Sequence, residues 1–502
     1  MYSGGIMEDF DFLMVLPVAL GDSAAGVASA RFRTRTLAAA QEHAATSGYV
    51  GSHGRRPALF PSTASPVDGH PSESAFESWA KDYVSFGAAL AVYEAASVAD
   101  DAAFVREEAW PLLRAVADYA VARGEWTTKG FEYGLSMNRD ESMPRVNDAS
   151  FLSLAAMRAI EVALECHETL PAGWRDERAA KNWAKVLAAI RVPAQGELVL
   201  PFVGAEISNA TPRTWALGNM QQLLAHGVPA RLSAATLRAT LQAEEALRQK
   251  WSAAHAANAS HPAPICDGEY MSCPPMAHAA ALVGDRGTSR MLLRRLATNQ
   301  TLPPFNIISE YPCGDCKAGF GVYMTNAGSF LSTLYGLVGV RAKMGQSAEA
   351  WLIRNATLPE GWESLSFGRV VLGGAAYRLD AAHGARATLT PPSKWDDDGA
   401  AQAINPPKHP IPPQTTPPSW WKPHYEKLGV YDAGGPCEST PFWWPKDRRM
   451  YLMEGVCEGR HQIEVSHGDS KWNGYWGGPS SGPFCERTRL RSSLLAPSCI
   501  AT

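Results

Sequence analysis

Two neighbouring carboxylates stand in the stretch SMNRDESMPRVNDASFLS, residues 136–153, where Asp140 and Glu141 follow Arg139. The flanking Ala- and Leu-rich segments have the apolar period of helices, so these acids belong to a connection between helices. A glutamate in such a loop is most often ordinary surface charge. If a second acid faces it across a pocket, however, the pair can cleave a glycosidic bond, one acid protonating the leaving oxygen while the other activates water.

The candidate second acid is Glu310 in PPFNIISEYPCGD, which ends an apolar stretch at the start of a Gly-rich loop. The residues around it do not by themselves distinguish a catalytic carboxylate from a solvated one. Both interpretations therefore stay open for Glu141 and Glu310 until the elements that position them are considered.

Residues 25–345 have the patterns of helices joined by Gly-, Pro- and Ser-rich connections. Apolar residues recur from Val105 onwards at steps of three and four, and Pro111 within that run predicts a kink or a new first turn. A further helix is expected after Asn147 and Asp148, which are good N-cap residues. In the segment GSFLSTLYGLVG, Gly336 would allow a neighbouring helix to approach closely. These patterns predict an all-α array of helical hairpins rather than a parallel sheet.

The sequence pattern changes after about residue 350. LSFGRVVLGGAAYRLDAAHGARATLT, residues 365–390, has Val, Leu and Tyr runs broken by Gly, which is typical of a short antiparallel β module. A proline-dense linker follows, and the last residues are rich in Trp, Gly and Cys. The expected domains are a helical domain at 1–348, a small β module at 349–392, the linker at 393–425, and a β-rich tail at 426–502 that resembles a propeller fragment.

The overall composition excludes several classes of partner. Apolar residues make up 46% and charged residues 19%, as in folded globular chains. The net charge of -4 and the absence of a dense Lys/Arg run argue against nucleic acid or anionic lipid. No apolar run approaches the roughly 18 residues that span a bilayer. We expect no metal and no cofactor, because CGDC lacks a second ligand pair and no phosphate-binding loop follows a strand.

The cysteines and glycosylation sequons favour an oxidising, secretory compartment, although the N-terminus lacks the basic region of a signal peptide. Cys313 and Cys316 could form a loop disulfide or remain free thiols, and both alternatives stay open. His278, on a small-residue segment, is expected to be a packed core histidine. The nine cysteines include Cys266 and Cys273 close together and Cys437, Cys457 and Cys485 near the C-terminus, and the sequons are at Asn209, Asn258, Asn299 and Asn355.

Several stretches, taken in chain order, carry a family resemblance. They are EDFDFLMVLP, RFRTRTLAAAQEHAATSGYVGS, MNRDESMPRVNDASF, FNIISE followed by AGSFLSTLYGLVGVR, and WLIRNATLPEGWESLSFGRVVLGG. In order and spacing they resemble motifs of glycoside hydrolase family 65, which includes trehalases, kojibiose and maltose phosphorylases, and the glucosidases of collagen's glucosylgalactosyl-hydroxylysine. The resemblance spans roughly residues 8–390.

The resemblance implies an (α/α)6 toroid with the site at the mouth of the barrel. It assigns Glu141 as general acid and Glu310 as general base, while Asp9, Asp140 and Asn147 would bind the sugar. The implied reaction is inverting hydrolysis of an α-glucosyl di- or oligosaccharide or glycoconjugate, without metal or cofactor. The implied partner is a carbohydrate substrate; the resemblance indicates no oligomeric state.

The chain departs from the family pattern at positions that would contact a sugar. Glu8 and Leu13 stand where the family has tryptophans, and FPSTA, residues 60–64, replaces an F-P-W-E-S turn. The family's N-terminal β-sandwich is missing, so we expect a truncated chain. Two alternatives therefore remain: a disaccharide phosphorylase of the same fold, and a carbohydrate-binding protein whose catalytic site has decayed.

Overall fold

In the computed structural model the chain divides into two compact units, residues 1–403 and 404–502. The structure describes residues 6–8, 10–51, 54–71, 81–137, 146–205, 232–257, 273–299, 301–302, 307–308 and 328–394. The second unit, with the Cys- and Trp-rich tail, lies outside these ranges, as does nearly all of the proline-rich linker. The predicted domain boundaries at 348, 392 and 425 stay predictions.

Most of the described chain is helical. Short π-helical turns at Phe10–Met14 and Val105–Ala109 lead into α1 and α5, and a longer one covers Ser332–Val338. The α-helices are α1 (Val15–Gly21), α2 (Ser23–Arg35), α3 (Leu37–Thr46), α4 (Val84–Ala99), α5 (Trp110–Arg123), α6 (Ser150–Thr169), α7 (Glu177–Ala189), α8 (Ala234–Ala257), α9 (Cys273–Leu282) and α10 (Arg286–Asn299), with a short turn at Ala102–Phe104.

Buried helices alternate along the chain with helices that are apolar on one face. Nearly every residue of α4 and α9 is buried, and α6 is buried over most of its surface. A helix that is apolar all round belongs in the interior. By contrast, α7 buries only Ala179, Trp183 and Val186, which recur at helical spacing on one face. This order, buried helix then one-faced helix, is the helical array that the periodicity predicts.

The two predictions about where helices begin have different outcomes. Pro111 lies in the first turn of α5, as predicted, where its missing N–H costs no hydrogen bond. A helix begins after Asn147 and Asp148 as predicted, at Ser150, but neither of these two residues caps it. The N-cap of α6 is Ala149, without a side-chain cap, because the Asp148 carboxylate turns back to accept hydrogen bonds from the preceding corner at Tyr133 and Gly134.

The strands form only antiparallel sheets in the described ranges. A three-stranded sheet lies inside the region predicted as a β module and consists of β11 (Ser364–Leu372), β12 (Ala375–Ala382) and β13 (Thr388–Thr390). This sheet packs on α1 and α4, and Gly374 N donates to Val98 O at 2.7 Å. The strands are β1 (Ile6–Met7), β2 (Thr63–Ala64), β3 (Glu125–Thr127), β4 (Gly130–Glu132), β5 (Leu135–Ser136), β6 (Val146–Asn147), β7 (Ala194–Gln195), β8 (Leu198–Val199), β9 (Thr301–Leu302), β10 (Ile307–Ile308), β11 (Ser364–Leu372), β12 (Ala375–Ala382) and β13 (Thr388–Thr390).

A buried polar network joins the C-terminal halves of α4 and α6. Arg158 donates to Glu165 at 2.8 Å, Tyr93 donates to the same carboxylate, and the Tyr93 hydroxyl accepts from Met344 N at 3.1 Å. Burial raises the pKa of Glu165, but the charge of Arg158 and the hydrogen bonds from Tyr93 and Arg158 together hold that pKa below its usual value. The network therefore ties this end of the two helices to the chain that follows the Ser332–Val338 turn.

Two of the nine cysteines fall within the described ranges. Cys166 is a buried free thiol, and burial raises its pKa to about 12, so it behaves as a small apolar core residue. Cys273, at the start of α9, is disulfide-bonded. The loop that holds Cys313 and Cys316 lies outside the described residues, and the alternatives for this pair stay open.

Candidate functional site

The N-terminal ends of three buried helices meet at one end of the bundle. Phe12, just before α1, lies 5.9 Å from Phe151 at the start of α6, measured between ring centroids. Tyr83, just before α4, lies 5.0 Å from the same ring. Gly87 permits this packing, because a Cβ there would lie 2.4 Å from the Phe12 ring. The segments that precede α1, α4 and α6 therefore converge, and two of them contain the candidate sugar-binding and acid residues.

The stretch with Asp140 and Glu141 connects the two strands of a β-hairpin. Leu135 of β5 pairs with Asn147 of β6, and Ser136 pairs with Val146, so the chain segment 137–145 connects the two strands. Asp140 and Glu141 lie in that loop, outside the described residues. The hairpin leads directly into α6, which places the two ends of the loop at the convergence of the buried helices.

Asn147 is the candidate sugar-binding residue that the structure places. It is exposed on β6, and its backbone carbonyl accepts a hydrogen bond from Val203 N at 2.9 Å. Leu135 beside it and Val203 are also exposed, at 44% and 50%. The side chain of Asn147 therefore stands on the solvent-facing rim next to the acid loop.

Asp148 fixes the corner from which the hairpin begins. One of its carboxylate oxygens accepts hydrogen bonds from Tyr133 N and Gly134 N, each at 2.7 Å, and Asp148 N donates to Gly134 O at 2.8 Å. Its φ of 49° lies in the left-handed region, which aspartate tolerates better than most residues. The backbone before β5 is thereby tied to the backbone before α6.

Arg123, the last residue of α5, holds the other side of the same corner. Its guanidinium donates to Asp82, to Tyr133 O at 2.5 Å and to Leu135 O at 2.5 Å. The Tyr119 hydroxyl also donates to Asp82, at 3.3 Å. Burial raises the pKa of Asp82, and the charge of Arg123 opposes that rise. This ion pair links the start of α4 to the strand from which the acid loop emerges.

The segment before α1 contains Asp9, which lies outside the described residues, between two buried acids. Glu8, where the resemblance expects a tryptophan, is 2% exposed. It accepts a hydrogen bond from the Tyr83 hydroxyl at 3.3 Å and lies 4.0 Å from the ammonium of Lys81. A charged group therefore occupies a position where the family offers an aromatic ring.

Asp11, on the other side of Asp9, forms a buried ion pair with Arg33 of α2. The guanidinium donates to both carboxylate oxygens, with Nε contacts of 2.9 and 3.1 Å and an Nη2 contact of 2.5 Å. It also lies 5.3 Å from the centroid of the Phe60 ring. The pair holds the segment before α1 against the neighbouring one-faced helix.

The candidate base Glu310 lies outside the described residues, so its distance to the hairpin is not defined. The chain around it is described at β10, which pairs with β9, and from residue 328 onwards. The Ser332–Val338 turn packs against α9, with a Gly336 Cβ position only 2.5 Å from the His278 ring. This confirms both the close approach expected at Gly336 and the buried position expected for His278.

The described ranges contain no cluster of His, Cys, Asp and Glu that could hold a metal ion. In the same ranges, no helix is both long and apolar enough to cross a membrane.

Sequence patterns missed the residues that hold the hairpin. Arg123 and Asp82 are 41 positions apart in the chain, and neither belongs to a recognisable motif. An arginine in the last turn of a helix is ordinarily explained by the helix dipole. A usable signal is the position of Asp82, which directly precedes the Ala- and Val-rich helix α4, because a charge there must be paired when that helix is buried.

Comparisons with known proteins agree with this arrangement. Residues 1–204 match the family described as "Glycosyl hydrolase family 65 central catalytic domain". A kojibiose hydrolase from Flavobacterium johnsoniae is 26% identical over 175 residues, which are 34% of this chain and 24% of that protein. A structure titled putative kojibiose phosphorylase from human microbiome aligns with a TM-score of 0.55 at 12% identity, covering 78% of this chain and 56% of that one. The chain thus spans about a quarter of the curated relative, and the structural likeness establishes the fold alone.

Proposed function

We propose that the protein is an inverting α-glucosidase, because residues 1–204 match the glycosyl hydrolase family 65 central catalytic domain. Its substrate is an α-glucosyl di- or oligosaccharide or a glycoconjugate. The observation that supports the proposal is the hairpin of β5 and β6, whose described strands flank the chain segment with Glu141 and lead into the end of the bundle where the buried helices converge.

The proposed architecture is an (α/α)6 toroid with the pocket at the N-terminal ends of the inner helices. The pairs α1 and α2, α6 and α7, and α9 and α10 each join a buried helix to one with an exposed face, which is the repeat of such a toroid. The polar network around Tyr93 and Glu165 would close the opposite end.

The proposed roles follow the order of the chemistry. Glu141 donates its proton to the glycosidic oxygen as the bond to the anomeric carbon breaks. Glu310 takes a proton from the water that attacks that carbon from the opposite face. For the water to fit, the two carboxyl groups should stand roughly 6.5–9.5 Å apart. Asp9, Asp140 and Asn147 bind hydroxyl groups of the sugar.

Water is the proposed nucleophile because the position assigned to the base carries a carboxylate, Glu310. A carboxylate can accept a proton from water, whereas it would repel a phosphate anion at the same place. Phosphorolysis and binding without turnover are the two alternatives that the experiment must separate.

The test measures the products released from trehalose, kojibiose, maltose and glucosyl-galactose, with and without phosphate. We expect β-glucose as the first anomer from glucosyl-galactose, whose glucose comes only from the attacked unit, detected by NMR, and no dependence on phosphate with any substrate. Glu141→Gln and Glu310→Gln should each lower kcat by at least about 100-fold. Glu125→Gln, which changes an exposed acid on β3, is the matched control and should be fully active.

Each other outcome contradicts a stated part of the proposal. Release of α-glucose first from glucosyl-galactose would exclude inversion. Glucose 1-phosphate formed only with phosphate would make the protein a phosphorylase. Sugar binding without turnover would support the decayed site, and full activity of Glu141→Gln would remove this residue from the mechanism.

A further inference from the structure

We propose that Arg123 is a positioning residue that fixes the β5 end of the loop at 137–145 and thereby aims the general acid. This inference rests on the proposed function, since it assigns Arg123 a part in placing Glu141. The guanidinium does so by joining Asp82, at the start of α4, to the backbone carbonyls of Tyr133 and Leu135.

The planar guanidinium of Arg123 has a separate donor for each of the three acceptors. Nε faces the Asp82 carboxylate, Nη1 faces Tyr133 O and Nη2 faces Leu135 O. A planar group with five donors can hold three acceptors in one fixed arrangement, and the flexible ammonium of a lysine cannot. The two carbonyls are two residues apart, so the chain between them is held at both ends.

Burial strengthens the hydrogen bonds between Arg123 and Asp82. The Arg123 side chain is 8% exposed and that of Asp82 is 0% exposed, so water competes little for either group. Within the described residues Asp82 Oδ1 has no hydrogen-bond partner, and Oδ2 accepts from Arg123 and Tyr119, so these two groups orient the carboxylate. Removing the guanidinium would therefore release both the carboxylate and the two carbonyls.

The described ladder between β5 and β6 is too short to fix the position of β5 by itself. Among the described residues β5 and β6 share two residue pairs, Leu135 with Asn147 and Ser136 with Val146, and such short ladders specify their register weakly. Asp148 holds the β6 side through Tyr133 N and Gly134 N. Arg123 thus holds the corner from the end of α5, and Asp148 holds it from the end of β6. Loss of Arg123 would release β5.

The experiment compares wild type, Arg123→Met and Arg123→Lys on two substrates that differ in their need for an acid. Kojibiose needs protonation of its leaving oxygen, whereas α-glucosyl fluoride needs little. If Arg123 places the acid, kcat of Arg123→Met should fall about 100-fold on kojibiose but no more than about threefold on the fluoride. Arg123→Lys should show the same pattern in smaller degree, because it keeps a charge beside Asp82 but cannot span both carbonyls.

Arg191→Met is the matched control, since Arg191 makes an ion pair with Glu132 of β4 on the surface of the same region, at 2.9 Å and 45% exposed. It should leave both rates unchanged. Equal losses on kojibiose and the fluoride in folded Arg123 variants would overturn the proposal, because a merely structural arginine lowers the active fraction for every substrate alike. If Arg123→Met does not fold, Arg123→Lys decides by the same ratio.

A wild-type protein inactive on both substrates would refute the proposed function, and hydrogen exchange then decides the positioning role separately. Arg123→Lys should speed exchange at least about tenfold at the amides of residues 134–136 and 146–147, with the amides of α6 unchanged. Unchanged exchange at the hairpin would overturn the inference.

Discussion

Replacing Asp148 should separate the two ways in which this residue supports the acid-bearing hairpin. Its carboxylate oxygen accepts two hydrogen bonds of 2.7 Å, and its backbone adopts a φ of 49°. Asparagine keeps an acceptor and tolerates the left-handed backbone, glycine keeps only the backbone, and alanine keeps neither. The three variants therefore remove the contributions one at a time.

The magnitudes follow from the contacts. Each hydrogen bond to the partly buried carboxylate contributes about 1.5 kcal/mol, at the lower end for charged acceptors, and the left-handed backbone costs alanine about 1 kcal/mol. The free energy of unfolding should fall by about 1 kcal/mol in Asp148→Asn, about 3 kcal/mol in Asp148→Gly and about 4 kcal/mol in Asp148→Ala.

Urea unfolding at pH 7, followed by circular dichroism, measures this series. Asp176→Asn is a suitable control, because Asp176 caps α7 through Ala179 N at 2.9 Å, away from the hairpin, and asparagine caps a helix about as well, so this variant should unfold near the wild-type urea concentration. The reasoning would be refuted if Asp148→Ala and Asp148→Asn unfolded at the same urea concentration, since the carboxylate would then hold nothing at the corner.

Further predictions concern the core. Arg33→Met should lower the free energy of unfolding by about 3–5 kcal/mol because it leaves Asp11 buried and unpaired, and Asp11→Leu/Arg33→Met should recover part of that loss in the same urea assay. Burial lowers the pKa of His278 to about 3 from 6.5, so the unfolded chain binds a proton first as the pH falls, and stability decreases. Between pH 7 and pH 5 the wild type should lose about 2 kcal/mol more than His278→Asn; equal losses would contradict this. Gly336→Ala should destabilise by about 1–3 kcal/mol because its Cβ would meet the His278 ring, whereas Gly287→Ala, with its nearest neighbour at 3.8 Å, should not.

The helices of the core could be predicted because their signal is local. Ala155, Ala159 and Ala163 recur at helical spacing and are all fully buried on α6. Pro111 marks the first turn of α5 through its own ring geometry. Such features depend on neighbours a few residues away, which a reader of the sequence can see.

The supports of the acid loop could not be predicted because they are distant in sequence and ordinary in type. Arg123 stands at a helix end and Asp82 in a polar turn, where charges are usually solvated. Asp148 has the sequence position of an N-cap, and only the three-dimensional corner at Tyr133 and Gly134 draws its carboxylate away from α6. Local preference for capping was overridden there by tertiary hydrogen bonds.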